Sequence, residues 1–189
     1  MYSPFLLRGN KERHLLSLSP IEKLIKPTSW DEMSRKTLSI IPYTGGKAGL
    51  VSSLVPLIEW TAKQYDLKAY YEVTGGGGRC LLNIDPKLFK HRVYCDADLP
   101  LCCLFQVLTN EFLTKDLIKK LYRQDYSEEV FNEAVTVRKQ DNELAEEGRF
   151  SEASDIISAA ANTFIAAVMS RAADFTTYDS NSARARRKG

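Results

Sequence analysis

The stretch Tyr70-Tyr71-Glu72-Val73-Thr74-Gly75-Gly76-Gly77-Gly78-Arg79 joins an aromatic and apolar run to four consecutive glycines. The run over residues 67–73 predicts a buried β-strand. Glycine fits where the backbone turns sharply or approaches a ligand closely, because it has no side chain to clash. A strand that ends in a glycine-rich turn is typical of cofactor binding in open α/β sheets. The stretch therefore predicts a cofactor-binding turn.

A second strand is predicted over residues 91–96, His91-Arg92-Val93-Tyr94-Cys95-Asp96, and it ends in an acid. An aspartate in this position can accept hydrogen bonds from both hydroxyls of a ribose. Asp96 could instead cap the next helix, but Asp98 is the better cap, since Pro100 follows it in the first turn. We therefore expect Asp96 to be free to bind a ligand.

The composition indicates an ordinary globular protein of one domain, or of one domain with a small appendage. The chain has 189 residues, of which 44% are hydrophobic and 26% charged. A formal net charge of +2 argues neither for nor against a nucleic-acid partner. The charge is uneven, however, because five basic residues stand against two acidic ones from Arg171 onward.

The four cysteines, Cys80, Cys95, Cys102 and Cys103, form no Cys-x-x-Cys pair. They predict reduced thiols in a cytosolic protein rather than a zinc site. The first ten residues lack the apolar run of a secretory signal, and no stretch reaches the roughly 20 apolar residues of a membrane span. We therefore expect a cytoplasmic protein that does not enter the membrane.

Helical patterning dominates the rest of the chain. Helices are predicted over residues 48–64 and 99–124, the second from an apolar stripe that runs to Phe112. Ser127 is followed by two glutamates, and acids in the first turn favour a helix, so a further helix is predicted to begin there. A last helix would bury one face, made by Ile156, Ala160, Thr163, Phe164, Ala167 and Val168. The tail over residues 174–189 is polar and basic and is expected to be loose.

The segment Tyr43-Thr44-Gly45-Gly46-Lys47 is a second candidate for chemistry. It lacks the further glycine and the Ser or Thr of a Walker phosphate loop. A double glycine before a lysine at a helix start can still present backbone N–H groups and an ammonium to a carboxylate or phosphate. The alternative is a plain turn with a lysine that faces solvent.

Three segments together resemble the Dam-type adenine-specific DNA methyltransferases, including phage-encoded members. That family carries an aromatic-x-Gly-Gly-Lys segment, a Glu-Pro-Phe-x-Gly-x-Gly turn and a strand that ends in Asp-x-Asn. The corresponding segments are Tyr43-Thr44-Gly45-Gly46-Lys47, Glu72-Val73-Thr74-Gly75-Gly76-Gly77-Gly78 and Asp96-Ala97-Asp98. Residues 162–182 resemble, more distantly, the end of the family's helical target-recognition region.

The resemblance implies an α/β protein with a partial Rossmann-like methyltransferase fold, a large helical portion and a site for S-adenosyl-L-methionine. Lys47 would pair with the methionine carboxylate, Glu72 would lie beside the amino group, and Asp96 would hold the ribose hydroxyls. The implied cofactor-binding residues are Tyr43, Gly45, Gly46, Lys47, Glu72, Gly76, Gly78 and Asp96. The implied divisions are an extension at 1–37, a partial cofactor domain at 38–112 and a recognition-like region at 113–189.

The resemblance also implies double-stranded DNA as a partner, because family members flip the target adenine out of the duplex before they methylate it. The implied DNA-binding residues are Arg171, Arg184, Arg186, Arg187 and Lys188.

The family's catalytic Asp-Pro-Pro-Tyr is absent, and Asp85-Pro86 is followed by Lys87-Leu88. In the family this motif follows the recognition region, whereas this chain ends at Gly189; Val73-Thr74 also replace the family's Pro-Phe. One interpretation is a truncated or split methyltransferase that is inactive alone and whose missing half belongs to a second polypeptide. Another is a non-catalytic DNA- or protein-binding module. A third is an unrelated helical protein with a chance glycine loop.

Overall fold

The structure is a computed structural model that describes residues 38–47 and 49–180. In chain order its helices and strands are α1 (Val51–Gln64), β1 (Ala69–Glu72), α2 (Arg79–Asn83), β2 (His91–Tyr94), α3 (Leu99–Leu108), α4 (Glu111–Tyr122), α5 (Glu128–Glu146) and α6 (Ile156–Met169). Short 3-10 turns occur at Phe150–Glu152 and Arg171–Ala173. The chain therefore mixes helix and strand, as predicted. The division at residue 112 stays a prediction, and the extension at 1–37 lies outside the described residues.

The two predicted strands form one parallel pair, with Ala69 opposite His91 and Glu72 opposite Tyr94. Both strands are shorter than expected, and β1 is not fully buried. On one face Tyr70 packs with Phe89 beneath α1, whereas Tyr71 is 60% exposed on the other. Parallel sheets are normally covered on both faces. The expectation of a buried first strand was therefore wrong for one side, because no described element covers it.

The remaining helices pack around α6, which contacts α3, α4 and α5. Its sequence is rich in small residues, and it buries far more than the single face predicted for it. The buried residues of α6 are Ala159, Ala160, Ala161, Thr163, Ile165, Ala166, Ala167 and Met169. A helix that is apolar on all sides belongs in the interior. The main core lies where α3 and α6 meet, around Leu104 and Ala160.

The helix predicted over residues 99–124 is two helices. The side chain of Asn110 accepts hydrogen bonds from the amides of Phe112 and Leu113, which ends α3 and begins α4. An N-cap of this kind satisfies amides that have no partner within the helix. Phe112, expected in the buried stripe, is consequently 77% exposed on α4.

Two predicted helix starts are confirmed. The Asp98 side chain accepts a hydrogen bond from the amide of Leu101 at 3.1 Å. Ser127 accepts one from the amide of Val130 at 3.2 Å.

All four cysteines are free thiols, and the described residues contain no group of side chains suited to a metal ion. Within the same residues, no helix combines the length and apolar character needed to cross a bilayer.

Candidate functional site

A cavity of about 310 Å³ lies at the carboxyl ends of the two strands. Its volume is at the lower end of the range typical of ligand sites. The residues that line it are Tyr43, Gly45, Gly46, Lys47, Thr74, Gly75, Gly76, Gly77, Arg79 and Asp96. Six of the eight residues predicted to bind a cofactor are among them; the other two, Glu72 and Gly78, are not. Segments far apart in sequence are thus brought together around one space.

Asp96 joins the glycine turn to the start of α3. Its Oδ2 accepts a hydrogen bond from the amide of Gly76 at 2.8 Å, and its Oδ1 accepts one from the amide of Asp98 at 3.0 Å. The carboxylate therefore has partners within the protein, and its expected availability to a ligand stays a prediction. An ionised carboxylate offers about four acceptor positions, so capacity remains for ligand hydroxyl groups.

The glycines of the turn are required by the protein's own aromatic rings. At Gly76, where φ is +49°, a Cβ would lie 2.8 Å from Cε1 of Tyr43. At Gly78, where φ is +62°, a Cβ would lie 2.7 Å from Cζ of Phe105. Gly78 thus faces the core rather than the cavity. The hydroxyl of Tyr94 also donates to the carbonyl of Gly76 at 2.8 Å, which fixes the turn further.

Glu72 and Lys47 form an ion pair beside the cavity. Glu72 is only 4% exposed, and its Oε2 accepts a hydrogen bond from the amide of Leu81 at 2.7 Å. Lys47 Nζ lies 3.6 Å from Glu72 Oε1 and donates to the carbonyl of Thr74 at 3.1 Å. Oε1 has no hydrogen-bond partner among the described residues. The Lys47 ammonium is thus already occupied by groups of the protein.

Arg79 is a residue of the cavity that the sequence reasoning did not single out. Its Nε lies 3.4 Å from the position of a Cβ on Gly46, and its Cγ lies 3.9 Å from that of a Cβ on Gly77. The side chain therefore passes between the two glycine segments. Its Nε is buried without a hydrogen-bond partner in the described part of the chain. The sequence signal that could have identified Arg79 was its position directly after the four glycines.

Tyr43 is held in place from the far end of the chain. Its ring meets that of Phe175 edge-on, with centroids 5.5 Å apart. The amide of Thr44 donates to the carbonyl of Ala173 at 3.3 Å, and the hydroxyl of Thr44 donates to that of Ala172. Burial raises the pKa of Tyr43 above its usual value, and the charge of Asp96 raises it further. Tyr43 is therefore a neutral wall of the cavity.

Arg138 on α5 connects this wall to the helices. Its guanidinium lies 4.4 Å from the ring centroid of Phe175 and pairs with the carboxylate of Asp98. The pair is mostly buried, with side-chain exposures of 14% and 17%. Burial lowers the pKa of Arg138, while Tyr43 and Asp96 oppose that shift. Arg138 thus connects α5 to Phe175, the residue whose ring packs against Tyr43 in the cavity wall.

The predicted DNA-binding residues are only partly described. Arg171 is exposed just after α6, whereas Arg184, Arg186, Arg187 and Lys188 lie outside the described residues. The expectation of a loose tail from residue 174 was wrong for its first part, because Ser170 pairs with Tyr178 in an antiparallel bridge. The amide of Asp179 also donates to the carbonyl of Met169 at 2.8 Å.

A larger groove of about 990 Å³ runs between β2, α2 and α3. Its walls include Phe89, Val93 and Phe105, and none of the predicted cofactor residues lines it. No carboxylate is among the residues that line it. The smaller cavity is the better candidate site, because Asp96, Lys47 and Arg79 line it together with the ring of Tyr43.

Comparison of the chain with protein-family models, with curated proteins and with solved structures gave no match. Two cations, a carboxylate with unused acceptor capacity and an aromatic wall suit a polar ligand that carries hydroxyl groups and at least one charge.

Proposed function

We propose that the cavity binds S-adenosyl-L-methionine and that the chain is the cofactor-binding and recognition part of an adenine-specific DNA methyltransferase, with a partial Rossmann-like fold. The observation that carries the proposal is the convergence of three separate segments at the carboxyl ends of parallel strands. Tyr43–Lys47, the glycine turn and Asp96 surround one cavity there. In open α/β sheets, ligands bind at this edge.

The proposed arrangement gives one task each to Asp96, Tyr43 and Glu72. The unused acceptor positions of Asp96 receive the ribose hydroxyls, and the Tyr43 ring covers one side of the ligand. Glu72 lies close enough to the Lys47 ammonium to balance cationic charge at the edge of the cavity, because their nearest atoms are 3.6 Å apart. Glu72 Oε1 is buried and accepts no hydrogen bond from a described residue, which supports a role towards the amino group of the ligand.

The proposed partner is double-stranded DNA, and the proposed location is the cytoplasm. Arg171 is exposed and comes shortly before Ala173, whose carbonyl accepts a hydrogen bond from the amide of Thr44. An exposed cation therefore lies close in sequence to a residue that contacts the neighbour of Tyr43. The basic residues Arg184, Arg186, Arg187 and Lys188 are proposed as further contacts to the phosphate backbone.

Methyl transfer would need groups that this sequence does not contain. Asp85-Pro86 lies in the turn before β2, where the Asp85 amide donates to Glu59 Oε1 at 2.7 Å, and it does not line the cavity. The proposed chain therefore binds cofactor without transferring the methyl group alone. A second polypeptide that carries an Asp-Pro-Pro-Tyr segment would complete the enzyme.

A second candidate function is a non-catalytic module that binds DNA or a protein. The observation that favours it is the internal use of Lys47, whose ammonium already contacts Thr74 and Glu72. Such a module would shift DNA in a gel regardless of cofactor, and the shift would persist in Lys47→Ala. Binding should weaken as salt rises, because cationic contacts to phosphates release counterions.

The test of the proposed function is calorimetric titration of S-adenosyl-L-methionine into the full chain. We expect saturable binding that Asp96→Ala reduces at least about tenfold, since it removes hydrogen bonds to a charged group. Asp116→Ala, which changes an exposed aspartate on α4 paired with Lys119, is the matched control and should bind like the wild type. A folded wild-type chain that gives no binding heat at several temperatures contradicts the proposal.

A further inference from the structure

We propose that Arg79, rather than Lys47, receives the carboxylate of the ligand's amino-acid end. This inference rests on the proposed function, and it assigns the recognition of one ligand group to a residue that the sequence motifs do not mark. It makes Arg79 a specificity-determining residue: the cavity favours adenosyl ligands that retain a carboxylate.

The first observation concerns the lysine that the motif points to. Lys47 Nζ donates to the carbonyl of Thr74 at 3.1 Å and lies 3.6 Å from the buried Glu72. A ligand carboxylate that approached this ammonium would also approach Glu72 Oε1, and two like charges at such distances repel each other. Lys47 therefore balances Glu72 and holds the Thr74 carbonyl, instead of offering a free cation.

The second observation concerns the arginine. Arg79 lines the cavity and forms no ion pair with any described residue, and its buried Nε has no hydrogen-bond partner there. A buried polar atom without a partner costs free energy, so such atoms are usually satisfied by a ligand or by water. Arg79 lies close to Gly77 through its Cγ and close to Gly46 through its Nε, so its side chain contacts both glycine segments that line the cavity.

The chemistry of the two cations agrees with this assignment. A guanidinium presents a planar fork of N–H donors that matches a carboxylate in bidentate geometry, whereas an ammonium is a compact point charge. Asp96, also in the lining, carries a negative charge and would turn a ligand carboxylate away from itself. The ribose and the carboxylate of the ligand would therefore lie towards opposite groups, Asp96 and Arg79.

The experiment combines changes in the protein with changes in the ligand. S-adenosyl-L-methionine and S-adenosyl-L-homocysteine carry the carboxylate, whereas 5′-methylthioadenosine lacks the whole amino-acid end and decarboxylated S-adenosylmethionine lacks only the carboxylate. Calorimetry would compare all four on the wild-type chain and on Arg79→Gln, Arg79→Lys and Lys47→Gln. Thermal unfolding would first establish that each variant is folded.

We expect Arg79→Gln to weaken both carboxylate ligands about tenfold or more, in line with the loss of a charge-assisted pair, and to leave the other two within about twofold. Arg79→Lys should restore part of the difference, and it serves as the test if Arg79→Gln does not fold. Lys47→Gln should change all four affinities by a similar factor.

Two results would overturn the inference while the proposed function stands: equal weakening of all four ligands by Arg79→Gln, or carboxylate selectivity that disappears only in Lys47→Gln. If none of the four ligands binds the wild-type chain, the proposed function fails and this inference fails with it. The two failures are therefore distinguished by the wild-type titration alone.

Discussion

The ring of Tyr43 occupies the space that a side chain on Gly76 would need. A Cβ there would lie 2.8 Å from Cε1 of the ring, and Gly76 has a φ of +49°. The same glycine donates its amide to Asp96 and accepts a hydrogen bond from Tyr94 on its carbonyl. One residue thus couples the aromatic wall, the acid and the second strand.

Gly76→Ala should lower the free energy of unfolding by about 1–3 kcal/mol, because it combines overpacking with a left-handed backbone. Urea denaturation would measure the change. Gly49→Ala is the matched control, since nothing lies within 4 Å of its added Cβ and its φ is ordinary. A Gly76→Ala chain as stable as Gly49→Ala would show that Tyr43 does not hold this position in solution.

Removing Arg138 should destabilise the protein well beyond the loss of a surface charge. Arg138→Ala leaves the largely buried Asp98 without its cation and removes the contact with Phe175. We expect a loss of about 3 kcal/mol. Lys139→Ala, next in sequence, breaks only an exposed pair with Glu143 and should cost less than about 0.5 kcal/mol. Equal losses in the two variants, measured by urea denaturation, would contradict this account of the pair.

Ala172→Gly should stabilise the protein by up to about 1 kcal/mol. Ala172 has a φ of +51°, a conformation in which a Cβ is strained and glycine is not. Differential scanning calorimetry would show a higher melting temperature. The same substitution at Ala134, well inside α5, should instead cost at least about 1 kcal/mol, because glycine disfavours a helix interior. A fall in stability at both positions would mean that residue 172 is not left-handed in solution.

Stability should decline as the pH rises above about 9. Burial is the main cause that raises the pKa of three tyrosines and three thiols above the usual values of 10.0 and 9.0. These residues are Tyr43, Tyr70, Tyr94, Cys80, Cys102 and Cys103. Between the usual and the raised pKa the unfolded chain binds fewer protons than the folded chain, so the free energy of unfolding falls with pH.

Denaturation at several pH values would measure that slope, and Tyr94→Phe isolates one contribution to it. Burial, and then the charge of Asp96, raises the pKa of Tyr94. Tyr94→Phe should be less stable at neutral pH, because it loses the 2.8 Å hydrogen bond to Gly76, yet its stability should fall less steeply above pH 10. A slope identical to that of the wild type would show that Tyr94 ionises as easily in the folded chain as in the unfolded one.

Local signals allowed much of the fold to be predicted. Asp98 sits directly before an apolar periodic run, Ser127 sits before two acids that favour a helix start, and the two strands carry apolar and aromatic residues. The break at Asn110 was missed because the apolar stripe continues across it to Phe112, so periodicity outweighed the capping signal. The five-residue helix α2 is shorter than two helical turns, so it leaves no periodic pattern to detect.

The site was predictable only in part, for a physical reason. Tyr43, the glycines and Asp96 carry distinctive residue types in order along the chain, and the structure brings them together. The contacts that hold them are long-range: Arg138 reaches Asp98 across 40 residues of sequence, and Thr44 reaches Ala172 across 128. No local pattern encodes such pairs. The proposed roles of Lys47 and Arg79 depend on which side chains lie beside each cation in the folded chain, so the sequence alone cannot tell which of the two would bind a ligand.

The attachment of Thr44 to Ala172 and Ala173 has a consequence for how the protein is made. During translation, the segment that contains Thr44 emerges from the ribosome long before the residues that secure it. A nascent polypeptide stalled before about residue 175 would display the glycine turn without the Phe175 support for Tyr43. If the proposed function holds, ribosome-bound intermediates should therefore capture the ligand only after Phe175 has emerged from the ribosome.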